Sequence, residues 1–527
     1  MGRPHRWLGA AVAVGFLLTA CGTGGVGGQS AGKQTRLLTI AIGVDPDTLD
    51  PMQQTTTTVA NVVQMVVESL GRVDQEGKIQ PSLATAWQES PDAMSWTITL
   101  RTGIRFSDGT PFDAAAAKAN LDRSLDPTSK CPNCGVLPKS VKSVDVVDPG
   151  HVRLTMGVPL AADIVLGLLS QTQYGMQSPR TIQKGTTAYV KNEQPVGTGP
   201  YVLKERVAGD HVLLVRNDDY WGRRPTYAQQ LFKIVPDAAT REALVRSGQA
   251  QVILLPPTSD LPSLQKDSTV KVLTASGDRS IYFAFNTVDT QQPLMRNPQV
   301  RQALNYAINR DAIVKSTLFG AAEPMTSVMA PAVFGYCQVP NPYKYDPDLA
   351  KSMLARANAG GMTVSLIAPT GRYLQDFQAA QNVANDLRAI GVNVVGPRTY
   401  DWPSYVSTVL VPPARASVDM HLLGWAPQYL DASQGMFPFD PGQIPPKGLA
   451  TAYYDNSAVT TLLQKASMEP NRDARAQEYC DAEKQVWNDA PWIFLWIQKF
   501  PIVYSAQVTG IESVPNEQFY SVYAQPA

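Results

Sequence analysis

The sequence predicts an α/β protein built from two lobes of different character. From about residue 290, segments with helical spacing of apolar residues alternate with short strand-like segments, which is typical of helices packed on a sheet. The first part of the chain instead mixes strands, turns and a few helices, which indicates a separate α+β region. With 527 residues, the chain is too long for a single hydrophobic core, so we expect two or three domains.

The elements predicted for the first lobe begin with a buried strand at residues 37–43. Residues 59–70 carry apolar side chains at helical spacing and are followed by Gly71, which predicts a helix with a glycine stop. Apolar and polar residues alternate over residues 95–101, as in a strand with one buried face. Asp113 is expected to cap the alanine-rich helix that follows it.

In the second lobe, Asn297-Pro predicts the start of a helix that continues to residue 309 with one apolar face. Helix-like residues 346–358 then lead to strand-like residues 363–368. The same order is repeated by residues 376–390 and 392–395. This repeated helix–strand order is the pattern that predicts the α/β layer.

The first 35 residues predict an exported protein with a lipid anchor. Two arginines precede an apolar run that ends at Cys21, and this order of basic, apolar and small residues is typical of a lipoprotein signal. The run is shorter than the about 20 residues that cross a bilayer. We therefore expect a signal peptide over residues 1–20, lipid attachment at Cys21 and a flexible glycine-rich tether over residues 21–35. The alternative is an ordinary signal peptide in which the cysteine occurs by chance.

Composition and motifs argue against several classes of function. Lysine and arginine together number 45, as do aspartate and glutamate, so no basic face for nucleic acid is indicated. No nucleophile elbow, zinc-protease helix or phosphate-binding loop occurs, and the four histidines are scattered along the chain. We therefore expect a binding protein rather than an enzyme, with no cofactor and no metal.

Four further cysteines are expected to form disulfides, since an exported chain meets oxidising conditions. Cys131 and Cys134 are close enough for a local bridge, which would leave Cys337 with Cys480, although four cysteines permit three pairings. The alternatives for the first pair are a redox motif and half of a zinc site. Both are disfavoured, because the motif lies in a loop-like stretch and no second pair of close ligands occurs.

Several motifs follow one another in order along most of the mature chain. They lie at residues 81–87, 96–112 (WTITLRTGIRFSDGTPF), 195–201 (PVGTGPY), 216–221, 282–286, 300–311 and 424–431 (GWAPQYLD). Together they resemble the extracytoplasmic solute-binding proteins of peptide-type ABC transporters, a family of oligopeptide, dipeptide and nickel binders.

The resemblance implies a two-lobed periplasmic-binding-protein-like fold of the class II type, with an extra subdomain in lobe I. By this resemblance, lobe I comprises residues 36–78, 190–285 and 500–527. The extra subdomain comprises residues 79–189, and lobe II comprises residues 286–499.

The function that the resemblance implies is capture of a peptide-like small ligand in the cleft between the lobes. The lobes close on the ligand, and the permease subunits of an ABC importer receive it. We expect a monomer at the outer face of the cell membrane, held there by its lipid anchor. Two alternatives stay open: a sugar-bearing, cell-wall-derived or metal-chelate cargo, and a regulatory or scaffolding lipoprotein with an occluded cleft.

Four residues are expected to line the cleft by the same resemblance. Arg372 resembles an arginine that binds the ligand carboxylate in dipeptide binders, a role that suits the paired donors of a guanidinium. Trp402, Trp425 and Tyr282 fall where the family presents aromatic rings, whose faces tolerate many ligand sequences. The alternative for each ring is packing in the core.

Gln428 departs from the pattern of the peptide binders, which place an aspartate there to hold the α-ammonium of the ligand. Glutamine offers an amide oxygen but no charge. Either Asp431, Asp419 or Asp401 replaces that aspartate, or the ligand lacks a free amino terminus. Of these acids Asp431 is included among the expected ligand contacts, together with Gln428 itself and its neighbour Tyr429.

Overall fold

The computed structural model describes residues 37–527, apart from 55, 130, 133, 135–136, 184–190, 192, 290–291, 341 and 428, and apart from the side chains of residues 275 and 276. The predicted signal peptide, Cys21, the predicted tether and Gln428 therefore lie outside the described residues. Within the described part of the chain, no helix is both long enough and apolar enough to span a bilayer.

The elements of the first half of the chain end with a long strand that crosses between the lobes. In chain order they are β1 (Leu37–Ile42), α1 (Thr57–Val63), β2 (Gly71–Val73), β3 (Ile79–Pro81), β4 (Ala84–Glu89), β5 (Ser95–Leu100), α2 (Ala114–Leu125), α3 (Leu137–Ser140), β6 (Val141–Asp148), β7 (His151–Met156), α4 (Ala162–Leu169), β8 (Tyr201–Val207), β9 (His211–Arg216), β10 (Gln229–Ile234), α5 (Ala238–Arg246), β11 (Val252–Leu254), α6 (Leu261–Leu264) and β12 (Val270–Phe285).

The second half is richer in helices and returns to the first lobe through a second long strand. Its elements are α7 (Pro298–Tyr306), α8 (Arg310–Ser316), β13 (Ala322–Pro324), α9 (Pro347–Arg356), β14 (Thr363–Pro369), α10 (Asp376–Ala389), β15 (Asn393–Tyr400), α11 (Trp402–Val409), β16 (Met420–Trp425), α12 (Ala432–Gly435), α13 (Ser457–Met468), α14 (Arg472–Asp489), β17 (Trp492–Ser505), β18 (Val508–Thr509), β19 (Glu512–Ser513), β20 (Phe519–Tyr520) and β21 (Gln525–Pro526).

One mixed sheet of eleven strands runs through both lobes. Its order is β15-β14-β16-β12-β17-β11-β1-β10-β9-β8, with β13 pairing to β17 beside this path. The long strands β12 and β17 pair with each other along most of their length, and their register shifts between Ala275 and Arg279. Strands on one side of this shift belong to lobe I and those on the other side to lobe II, so β12 and β17 connect the two.

A separate four-stranded sheet, in the order β4-β5-β7-β6, forms the extra subdomain with α2, α3 and α4. The alternation predicted for β5 is present, since Trp96, Ile98 and Leu100 are buried in the core of this subdomain. Backbone and side-chain hydrogen bonds attach it to lobe I: the Met176 N–H donates to the Glu68 carbonyl, and the Ser69 hydroxyl donates to the Gln171 carbonyl. The subdomain is therefore built onto lobe I.

Several of the predicted elements are present with their capping residues. Asp113 accepts a hydrogen bond from the Ala116 N–H at the start of α2, and Asn297 accepts one from the Gln299 N–H at the start of α7. The apolar face predicted for α7 is fully buried. These helix starts could be predicted from the sequence because the capping residue and the apolar periodicity agree at each of them.

The helix predicted over residues 59–70 is wrong in its second half, since α1 ends at Val63. The carbonyls of Met65 and Val66 accept hydrogen bonds from the N–H groups of Tyr201 and Gly199, so this backbone pairs with another segment. Gly71 does not stop a helix there but begins β2. A long-range pairing has overridden a helical periodicity.

Both expected disulfides are present, and of the three possible pairings the structure has the one that includes the local bridge. Cys131 is bonded to Cys134 within a loop, and Cys337 is bonded to Cys480 across 143 residues. The second bond fastens the segment before α9 to α14, so it constrains a long loop of lobe II.

Candidate ligand-binding site

A cavity of about 60 Å³ lies where the crossing strand β12 meets the end of β16, the loop after β14 and the start of α11. Its walls combine aromatic rings, aliphatic side chains and two arginines. The lining residues include Thr57, Arg279, Tyr282, Arg372, Tyr373, Trp402, Leu423 and Trp425. Four of the residues expected at the ligand from the sequence, Tyr282, Arg372, Trp402 and Trp425, are therefore brought together.

Arg372 is the side chain in this cavity that most needs a partner. It is 3 % exposed, and no hydrogen bond or ion pair is made by its guanidinium among the described residues. Its guanidinium carbon lies 4.8 Å from the ring centre of Tyr373 and 5.4 Å from that of Trp402. Burial and the neighbouring charge of Arg279 lower the pKa of Arg372 to about 10. A buried cation without an anion is costly, and a carboxylate at this point would relieve that cost.

The local backbone explains why Arg372 is held in place. Asp376, at the start of α10, accepts hydrogen bonds from the N–H groups of Arg372 and Tyr373. Burial raises the pKa of Asp376 to about 6, and these backbone donors act in the opposite direction. The carboxylate of Asp376 therefore fixes the loop rather than the guanidinium.

Arg279 is the second cation, and sequence reasoning did not find it. Its Nε donates to Glu517 at 2.6 Å, its Nη1 donates to the Gly424 carbonyl at 2.9 Å and its Nη2 donates to Thr57. It thus ties β12 to α1 and the C-terminal segment of lobe I, and to β16 of lobe II. Because Glu517 neutralises it, Arg279 is a structural bridge in the cavity wall. A charged residue in the middle of an apolar crossing strand was the signal in the sequence.

The aromatic residues line the cavity and pack in the core at the same time. Tyr282 stacks on Trp492 with ring centres 3.4 Å apart, and Trp425 stacks on Phe437 at 5.4 Å. The indole N–H of Trp425 donates to the Gln434 carbonyl at 2.7 Å. By contrast, the buried indole N–H of Trp402 has no acceptor among the described residues. Trp402 therefore has an indole N–H that is still available for a ligand.

The acids expected to replace the aspartate of the peptide binders do not line this cavity. Asp401 caps α11 by accepting from the Ser404 N–H, and Asp419 accepts from the N–H and hydroxyl of Ser365. Asp431 caps α12 and pairs with Arg475. All three carboxylates are engaged in fixing local structure.

Tyr429 is likewise placed away from the cavity. Its ring packs into the core of the extra subdomain, and its hydroxyl is hydrogen-bonded to that of Ser433 at 2.7 Å. Sequence reasoning put Tyr429 and Asp431 beside the ligand, whereas the structure puts them in the contact between lobe II and the subdomain. Gln428 is outside the described residues.

A larger cavity of about 340 Å³ lies between the extra subdomain and helices α13 and α14. Its lining combines apolar side chains with polar and charged ones, such as Lys139 and Asp440, and none of the described ligand contacts expected from the sequence lines it. Among the residues that the structure describes, no three His, Cys, Asp or Glu side chains are grouped so that they could hold a metal ion. The smaller cavity is the one that is lined by Arg372 and Trp402, each of which has a buried N–H without a hydrogen-bond acceptor among the described residues.

Comparison with known proteins identifies the family. Residues 78–445 match the bacterial extracellular solute-binding proteins, family 5. The glutathione-binding protein GsiB of Salmonella typhimurium is 30% identical over 490 residues, which cover 91% of this chain and 92% of GsiB. The chain therefore belongs to family 5 of the extracellular solute-binding proteins, and it is a substrate-binding protein of the ABC-transporter type rather than an enzyme.

Solved structures share the two-lobed fold. The dipeptide-binding protein of Pseudoalteromonas sp. SM9913 in complex with Met-Leu has a TM-score of 0.86 at 24% identity, with 93% of this chain and 100% of that chain covered. NikZ of Campylobacter jejuni in complex with Ni(L-His) has a TM-score of 0.80 at 24% identity, with coverages of 91% and 96%. The fold class predicted from the sequence is confirmed.

Proposed function

We propose that this family 5 binding protein captures a peptide-like solute with a free carboxylate, binds that carboxylate through Arg372 and delivers the solute to an ABC importer. The observation that carries the proposal is the buried guanidinium of Arg372, which lines the cavity and makes no ion pair with any described residue. A relative of similar length binds glutathione, a peptide with two carboxylates. The paired donors of a guanidinium match the two oxygens of a carboxylate.

The aromatic rings of the cavity provide the remaining contact area. Trp402 and Tyr373 flank the guanidinium, so a ligand that reaches Arg372 also contacts their faces. Such faces accept many side chains, which suits a protein that imports peptides of varied sequence. Because no acid among Asp401, Asp419 and Asp431 lines the cavity, the carboxylate end of the ligand is the end that the protein recognises by charge.

Ligand entry requires the lobes to separate. The cavity leaves about 60 Å³ in which the centre of a water molecule can move, so it is narrow compared with the cavity of about 340 Å³ beside the extra subdomain. The same small volume favours one second candidate, a regulatory lipoprotein whose cleft is filled by its own side chains.

Calorimetric titration separates the two functions. Glutathione, Met-Leu and Met-Leu with an amidated carboxyl terminus are the three probes, and Arg372→Gln is the variant. The import function predicts that at least one free acid binds, that the amide binds at least about tenfold more weakly, and that Arg372→Gln removes this preference. No heat with either free acid, in a protein that unfolds cooperatively, would favour the occluded cleft.

We further propose that the mature protein is anchored to the outer face of the membrane through a lipid on Cys21. The order of basic, apolar and small residues before Cys21 supports this, as does the glycine-rich stretch after it. Replacing Cys21 by serine should release the protein from the membrane fraction and remove the mass of the lipid. Membrane retention of Cys21→Ser would contradict the anchor.

A further inference from the structure

Three consecutive residues, Tyr429, Leu430 and Asp431, make contacts between lobe II and the lobe I side of the molecule. We call them the latch segment. They follow shortly after Trp425 and Ala426, which line the ligand cavity at the end of β16. The latch segment is thus connected along the chain to the cavity wall, although it does not line the cavity itself.

The first contact is a notch in α4 of the extra subdomain. Gly167 lies inside this helix, and a methyl group there would stand 2.6 Å from Cε2 of Tyr429. A glycine within a helix is unfavourable relative to alanine. Glycine at this position therefore lowers the stability of the helix, but it leaves room for the ring of Tyr429.

The second contact has the same form. Gly77, in the turn between β2 and β3, faces Leu430, and a methyl group on this glycine would lie 2.8 Å from Cδ1 of Leu430. Two neighbouring side chains of the latch segment are therefore each met by a glycine on the lobe I side.

The third contact is an ion-pair network across the same interface. Asp163, in the first turn of α4, pairs with Arg472 at 2.5 Å and with Arg475 at 2.8 Å. Arg475 is 2 % exposed and also pairs with Asp431 at 3.3 Å. Separation of the lobes would leave Arg475 with Asp431 in lobe II and return Asp163 to water. The pairs with Asp163 thus belong to the closed arrangement alone.

We propose that the latch segment stabilises the closed state and so raises ligand affinity without contacting the ligand. Tyr429 and Asp431 are then positioning residues, and Gly167 is the position that allows closure. A contact made in only one of two states shifts the equilibrium toward that state, and tighter closure appears as tighter binding. The link to affinity rests on the proposed capture function, but the effect on closure does not.

The test measures closure directly, with and without a ligand. Spin labels at Val147→Cys in the extra subdomain and Tyr345→Cys in lobe II, both exposed positions, report the distance between the lobes. Sucrose is excluded from protein surface and favours the more closed form, so it drives closure without any ligand. Glutathione and Met-Leu are the ligand probes. Gly167→Ala is the variant, and Gly360→Ala is its control, since a methyl group at Gly360 meets no atom within 4 Å.

If the latch segment stabilises closure, Gly167→Ala needs more sucrose than the parent to reach the short distance between the spin labels that marks the closed state. It should also bind whichever of glutathione and Met-Leu the parent binds at least about fivefold more weakly. The melting temperature without ligand should not fall, because alanine is the better helix former. Gly360→Ala should behave as the parent. The double variant Gly167→Ala/Tyr429→Ala should recover part of the closure, since the ring that the methyl group displaces is gone.

Two results would overturn the proposal. The first is that the distance between the spin labels responds to sucrose equally in the parent and in Gly167→Ala. The second is that neither sucrose nor a ligand changes this distance in the parent. If closure shifts as expected while neither peptide binds, the latch stands and the peptide cargo fails. Asp163→Asn gives an independent check, because its effect on closure should shrink as salt screens the parent's ion pairs.

Discussion

Gly43 and Gly371 meet backbone to backbone across the two lobes. Gly43 follows β1 in lobe I, and Gly371 lies in the loop after β14 in lobe II. A Cβ atom on Gly43 would stand inside van der Waals contact with the carbonyl oxygen of Gly371. The absence of a side chain at this point is therefore a condition for the closed arrangement.

Gly43→Ala should hold the lobes apart. The added methyl group meets a backbone atom that cannot rotate away, so the closed state loses stability relative to the open one. We expect ligand affinity to fall about tenfold or more, with a larger radius of gyration by small-angle scattering at saturating ligand. Gly360→Ala serves again as the control, and equal affinities for the two variants would contradict the prediction.

Arg372→Met should weaken binding without weakening the fold. The substitution keeps an unbranched side chain but removes a buried cation that makes no hydrogen bond or ion pair with any described residue. We expect an unchanged or higher melting temperature without ligand, together with loss of the preference for a free carboxylate over its amide. A large fall in the melting temperature would show that Arg372 is a structural residue instead.

Trp402 and Trp425 should respond differently to phenylalanine. The indole N–H of Trp425 donates to the Gln434 carbonyl, so Trp425→Phe removes a buried hydrogen bond and should cost about 0.5–1.5 kcal/mol of unfolding free energy. The indole N–H of Trp402 has no such acceptor among the described residues. Trp402→Phe should therefore weaken ligand binding while leaving the free energy of unfolding nearly unchanged. Calorimetry would measure the affinity of both variants, and chemical denaturation would measure their unfolding free energies.

Glu483 should make stability depend on pH. Its carboxyl is fully buried in α14, accepts from the Ser327 hydroxyl and the Cys337 N–H, and burial raises its pKa to about 8. The folded protein thus holds this proton more tightly than the unfolded chain does, with its pKa of 4.5. The contribution of Glu483 to the free energy of unfolding is complete below pH 4.5 and is lost as the pH rises to about 8. Between these two values it falls by about 1.4 kcal/mol per pH unit.

Glu483→Gln should remove this dependence, since an amide does not titrate. Urea titrations at pH 5, 6, 7 and 8 would measure it as the difference in unfolding free energy between the parent and Glu483→Gln. A constant difference across this range would contradict the raised pKa.

The local signals in the sequence predicted much of the fold. Caps such as Asp113 and Asn297, and the apolar face of α7, are properties of a few neighbouring residues, and the structure retains them. The end of α1 could not be predicted in this way. Hydrogen bonds from Gly199 and Tyr201, more than 130 residues away, determine the path of the chain after Val63.

The candidate site was predictable only where resemblance pointed to single residues. Arg372 and Trp402 lie on the cavity as expected. Arg279 was missed: its charge within the crossing strand is visible in the sequence, but its contacts with Glu517 and Gly424 are needed to show that it faces the same space. The position of Tyr429 depends on a glycine in a helix more than 250 residues earlier, which no local pattern in its own segment can disclose.

The most direct test of a carboxylate-binding cleft is native mass spectrometry of the chain from residue 22, freshly purified beside Arg372→Gln. Carboxylate binding by Arg372 predicts that the parent carries non-covalent adducts, that denaturation releases them as peptides with free carboxyl termini, and that Arg372→Gln lacks them. The same adducts on both proteins, or the mass of the bare chain for the parent even after incubation with glutathione and Met-Leu, would contradict it.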